Sequence, residues 1–81
     1  MTVHQLPSRD FVRVPNTILF DRQLSLGARV LYMILLSYDW QPGQPLPHLA
    51  ALRGAMQCDT EALITFLYEL KVHGFLEALS T

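Results

Sequence analysis

Eighty-one residues, 51% of them hydrophobic and 16% charged, make one small domain with more apolar side chains than its own core needs, so a partner surface is expected. Six Lys and Arg against seven Asp and Glu leave a net charge of −1, which argues against strong autonomous DNA binding through a basic stripe. The single cysteine, Cys58, excludes an internal disulfide and a paired-cysteine metal site, and makes an intracellular setting the default.

The first ten residues, MTVHQLPSRD, lack the apolar run of a signal peptide. The longest stretch with few polar residues, Val30 to Leu36, is too short to cross a bilayer. A soluble, cytoplasmic protein is expected, with residues 1–9 as an N-terminal arm and residues 10–81 as the domain, whole or as the N-terminal part of a longer protein. The alternation in Asp10 to Val14 predicts a short strand, which Pro15 ends by withdrawing a backbone donor. Pro15 then suits the first position of a short helix through Asn16 to Phe20.

Ser25 is a good N-cap for the central helix, and LGARVLYMILLSYDW, residues 26–40, continues without a breaker for about four turns. At about 100° per residue from Leu31, one face holds Gly27, Ala28, Ile34, Leu35 and Tyr38, and the other holds Arg29, Tyr32, Met33 and Leu36. That outer face is itself largely apolar. Either the rest of the domain wraps it, or Met33 and Leu36 meet another chain.

The prolines at 42, 45 and 47 with Gly43 form a rigid turn, and Pro47 suits the first turn of the next helix, His48 to Met56. Leu49, Leu52 and Met56 lie there at helical spacing, and Gly54 is expected to permit close packing against a neighbouring helix. Asp59 is the expected N-cap of the last helix, with Cys58 and Leu63 placed as a small hydrophobic staple. Its buried stripe is Ala62, Leu63, Phe66, Leu67 and Leu70, and Gly74 supplies the stop. Phe75 to Leu79 then suits an edge or wing strand. The fold class expected is mainly α with a small β component: a winged helix-turn-helix, with a three-helix core plus short strands.

The runs FVRVPNTILFDRQLSLGARVLYMILLSYDW and LPHLAALRGAMQCDTEALITFLYELKVHGFL resemble the winged helix-turn-helix domains of plasmid and phage replication initiators and primosomal proteins. Related domains occur in small bacterial transcription regulators. The likeness covers residues 10 to 79, and its most specific parts are the "LS...A...LY..LLS" helix and the "L...G-F-L" exit from the last helix. It implies a module for double-stranded DNA, with the last helix in the major groove and the wing along the backbone.

The outward face of that helix is read as Glu61, Thr65, Tyr68, Glu69 and Val72, with Ile64 and Lys71 at its margin. Two carboxylates there would face a polyanion. The residues able to meet nucleic acid are Arg53, Thr60, Thr65, Tyr68 and Lys71, with Arg9 and Arg13 from the N-terminal segment. A dimer would double this sparse set. The competing expectation is a degenerate winged helix acting as a protein-interaction or oligomerisation module, through Met33, Leu36, Ile64, Tyr68 and Val72. The last three fall at i, i+4 and i+8 as an apolar ridge expected beside the buried stripe.

His4, His48 and His73 lie in separate segments without ligand spacing, no serine has a nucleophile-elbow context, and no glycine-rich phosphate loop exists. No metal, cofactor or small-molecule substrate is expected, and no enzymatic activity.

Overall fold

The computed structural model of the chain describes residues 11–76. It contains four helices, α1 (Asn16–Leu19), α2 (Leu26–Ser37), α3 (Leu49–Met56) and α4 (Thr60–Val72). There is no strand among the described residues. The expected small β component, and with it the wing, is therefore corrected to an all-helical fold. The physical reason lies in the two segments expected to be strands. Phe11 to Val14 forms neither helix nor strand, and its backbone makes no hydrogen bond with any described residue; alternation without a partner strand does not build a ladder. At the other end, Gly74 (φ 82°) turns the chain back. Leu76 offers its carbonyl to Gly43 N at 2.9 Å rather than to a strand. Asp10 and residues 77–79 of these two expected strands lie outside the described residues.

α1 forms because the Pro15 carbonyl accepts from both Ile18 N and Leu19 N at 3.2 Å. Pro15 thus stands at the cap rather than at the first helical position. Ile18, 1% exposed, carries this turn into the core.

Ser25 caps α2 as the sequence predicts, its hydroxyl accepting from Ala28 N at 3.2 Å. The helix ends at Ser37, three residues before the predicted end. Asp39 takes a left-handed conformation (φ 61°), and Asp39 N and Trp40 N donate back to Leu36 O and Leu35 O. These are the paired bonds of a Schellman cap. The turn swings Trp40 into the core at 4% exposure, where its indole N–H donates to Gln44 O at 3.1 Å and pins the proline-rich loop.

Pro47 falls just ahead of α3 rather than within it. His48 is the N-cap, its Nδ1 accepting from Ala50 N at 3.2 Å. The expected packing role of Gly54 is also corrected: it is exposed, and no atom lies within 4 Å of where its Cβ would stand. The glycine that permits a close approach is Gly27 on α2, where an added Cβ would overlap the Phe66 ring of α4. α3 ends at Gln57, another left-handed residue (φ 55°). Asp59 then caps α4 through Oδ1, which accepts from Ala62 N at 2.8 Å.

One core results. Leu31 and Leu35 from α2, Leu52 from α3, and Leu63 and Leu70 from α4 are at most 1% exposed, and Ala28, Tyr32 and Trp40 close the cluster. Each buried leucine contributes about 1.5–3 kcal/mol relative to leaving it in water. Tyr32 meets Trp40 and Phe75 edge-on, with ring centroids 5.9 and 5.5 Å apart. The residue expected on the outer face of α2 is thus inside, and Met33 and Leu36 are half-buried. The domain thus covers Tyr32 fully and Met33 and Leu36 in part.

Candidate nucleic-acid interface

α3 and α4 are joined by the three residues Gln57, Cys58 and Asp59, the connection length of a helix-turn-helix unit. The chain can turn this tightly because Gln57 N and Cys58 N donate to Gly54 O and Arg53 O, while half-buried Cys58 packs onto the cluster that holds Leu63. Of the expected contact residues, Arg53 sits in the last turn of α3, exposed, one turn before the connection. Thr60 is the first residue of α4 and is also exposed. These two stand at one end of α4. Lys71, exposed in its last turn, stands at the other, about 16 Å away at 1.5 Å per residue.

Between these ends the exposed side chains of α4 are Glu61, Ile64, Thr65 and Tyr68, followed by Val72. Ile64, Tyr68 and Val72 are 56%, 67% and 59% exposed. Tyr68 lies about 150° around the helix from the buried Leu63 and Leu70, so the apolar ridge is opposite the buried stripe and not beside it. Thr65 uses its hydroxyl proton on Glu61 O at 3.0 Å, which draws it toward the helix backbone. Arg13 is exposed on the segment before α1 and lines a cavity of about 460 Å³ with Leu36 and Trp40 at the end of α2. Arg9 lies outside the described residues.

Glu69 departs from the expected arrangement. It is half-buried, and its two carboxylate oxygens accept from Ser25 N at 2.9 Å and Ser25 Oγ at 2.8 Å. The carboxylate therefore satisfies an unpaired amide at the start of α2, where the helix dipole favours negative charge. Only Glu61 remains on the outward face of α4 as an acid. Arg29 is engaged in a comparable way: Nε and Nη2 donate to Leu24 O at 3.4 and 3.1 Å, and Nη1 donates to Leu19 O at 3.3 Å.

Sequence reasoning missed three strongly exposed apolar residues, Phe11 at 71% and Phe20 and Leu26 at 72% each. The signal was present for Leu26, which falls about 140° from Leu31 and so stands outside the core stripe of α2. Nothing in the local pattern announced the Ser25–Glu69 contact, which spans 44 residues.

Among the described residues, no group of three or more His, Cys, Asp or Glu side chains is placed to hold a metal ion. No described helix is long and apolar enough to cross a membrane. No family model, curated protein or solved structure matches the chain.

Proposed function

We propose that this chain is a nucleic-acid-binding helix-turn-helix module of the replication-initiator or transcription-regulator type, with α4 as the helix presented to double-stranded DNA. The observation that carries this reading is the withdrawal of Glu69 from the presented face into a bond with Ser25, which removes one of the two carboxylates that would repel a polyanion. Arg53 and Lys71 then anchor phosphates at the two ends of α4. Thr60 and Tyr68 approach the groove, and Ile64 offers an apolar contact of the kind a thymine methyl accepts.

The test is a fluorescence-anisotropy titration of a mixed-sequence duplex between about 50 and 200 mM salt. Affinity is expected to fall steeply with salt. Arg53→Glu and Lys71→Glu are expected to weaken binding to every sequence, and neutral substitution at either to reduce the salt slope by about 1. Unchanged affinity in both charge-reversed variants would sink the assignment.

A second reading is favoured by one observation, the exposure of Ile64, Tyr68 and Val72 together: α4 is presented to a protein groove instead. An apolar contact of that kind persists or tightens as salt rises, so the same titration separates the two.

A further inference from the structure

We propose that Glu61 is a base-reading residue, and that α4 selects duplex sites in which one strand carries cytosine next to thymine. The inference rests on the nucleic-acid reading and deepens it by naming the bases. Glu61 is the second residue of α4, and in a helix-turn-helix unit the N-terminal residues of the second helix are the ones that reach base edges. It lies about 160° around the helix from the buried Leu63, and so on the presented face. This is the end of α4 that Arg53 and Thr60 flank.

The two carboxylates of α4 differ in what satisfies them. Glu69 is held by Ser25. The Glu61 backbone carbonyl accepts from Thr65 Oγ1 at 3.0 Å, but its carboxylate makes no hydrogen bond or ion pair with the described residues. A first-turn carboxylate stabilises a helix through its dipole whether or not DNA is present, so the observable that separates a reading role from a structural one is base preference, not stability.

The chemistry of the face selects the base. An ionised carboxylate only accepts hydrogen bonds. In the major groove guanine presents two acceptors, thymine an acceptor and a methyl, and adenine an acceptor beside its donor. Cytosine alone presents a donor, its N4 amine, with no acceptor on the same base. A carboxylate carried into the groove loses its water, and the cytosine amine is the group that answers it. Thr65 reinforces the demand. It lies one turn after Glu61 on the same side of α4, and with its proton given to the Glu61 carbonyl its oxygen has only acceptor lone pairs left.

Ile64 supplies the neighbouring base. It is 56% exposed and stands about 4.5 Å beyond Glu61 along the axis, close to the roughly 3.4 Å between successive bases of one strand. Its apolar end fits the thymine methyl. From Glu61 to Leu70 the helix carries no Arg, Lys, Asn or Gln, the side chains that pair bidentately with guanine or adenine. The Tyr68 hydroxyl, about two turns from Glu61, falls on other base pairs.

Selection from a randomised duplex pool by the full chain at about 50 mM salt, followed by anisotropy titrations of the enriched site and its single-base variants, tests this. Cytosine next to thymine on one strand is expected in the enriched site. Exchange of that C·G pair for G·C is expected to weaken binding about five- to tenfold. Replacing the thymine by uracil deletes only the methyl and is expected to cost about three- to fourfold. Glu61→Gln is expected to move the preference at the first position from cytosine to adenine, because a glutamine amide pairs with adenine N6 and N7. Ile64→Ala is expected to abolish the uracil effect. Both side chains are exposed, so both variants keep the fold, and their melting temperatures check it. Duplex binding without base preference, or a preference that Glu61→Gln leaves unchanged, overturns the proposal and leaves the DNA reading standing. A pool from which no duplex is retained at any salt overturns the DNA reading and the proposal with it.

Discussion

Glu69 of α4 grips Ser25 at the start of α2 through both carboxylate oxygens, at 2.9 and 2.8 Å. Ser25 simultaneously accepts from Ala28 N, so one serine joins a local cap to a long-range contact. In a capping box, the glutamate that answers the N-cap amide comes from the same helix, three residues on. Here that position is Ala28, and the glutamate comes from another helix. Glu69→Ala is expected to cost about 1–2 kcal/mol, a charge-assisted bond lost at a partly exposed site. Glu69→Gln is expected to cost less, because one donor can still be answered. Chemical denaturation of the two variants with Ser25→Ala, read as a double-mutant cycle, checks this: a coupling energy near zero would mean that the two residues do not support one another.

The two helical glycines are expected to respond in opposite directions to alanine. Gly54 is exposed and touches nothing, so Gly54→Ala recovers helix propensity and stabilises by about 0.5–1 kcal/mol. Gly27→Ala gains the same propensity, but its methyl must displace the Phe66 ring, and overpacking of that kind costs about 1–3 kcal/mol. Thermal melts of the two variants should therefore move apart, Gly54→Ala up and Gly27→Ala down. A rise in both would mean that the Phe66 ring yields freely.

Local chemistry was readable from the sequence where a residue acts on its immediate neighbours. Ser25 and Asp59 as caps, the α4 stripe around Leu63 and Leu70, and Gly74 as a stop all depend on contacts within one turn of helix. What depended on a distant partner was not readable. The strands expected at Asp10 to Val14 and Phe75 to Leu79 each required the hydrogen bonds of a partner strand, and the alternation of side chains carries no information about whether one exists. Tyr32 and Glu69 both looked solvent-facing on a helical wheel. Each is instead drawn in by a second element, Tyr32 by Trp40 and Phe75, and Glu69 by Ser25. In the candidate interface, the positions of Arg53, Thr60, Tyr68 and Lys71 on exposed turns agreed with the periodicity, while the removal of Glu69 from that face did not follow from any spacing.

Tyr32 links the core to alkaline pH. Burial raises its phenol pKa above the ordinary value of 10.0, because the charged phenolate is poorly solvated there. The unfolded chain then releases this proton at a lower pH than the folded chain does. Stability is unaffected well below pH 10, and falls as pH rises from about 10 toward the folded value, where the unfolded state binds fewer protons. Denaturant titrations from pH 8 to about 11 should show this decline in the wild type and a shallower one in Tyr32→Phe. Equal slopes in the two proteins would remove Tyr32 as the source.

All three long helices end in the same way, with a left-handed residue whose amide and the next one bond back into the last turn. Asp39, Gln57 and Gly74 hold those positions, with φ of 61°, 55° and 82°. Only the third is the residue type that takes this conformation without steric cost, since a Cβ there crowds the following carbonyl by roughly 1–2 kcal/mol. Gln57 is exposed and its side chain makes no hydrogen bond with the described residues, so little is lost when it is removed. Gln57→Gly is therefore expected to stabilise the protein by about 1 kcal/mol, part of that gain being offset by the larger backbone entropy of glycine in the unfolded chain. Because Gln57 opens the connection between α3 and α4, the same substitution also tests whether the strain there positions α4. A rise in melting temperature with unchanged duplex affinity would mean that the turn only joins the helices, whereas a rise accompanied by weaker binding would make the strained glutamine part of how α4 is presented.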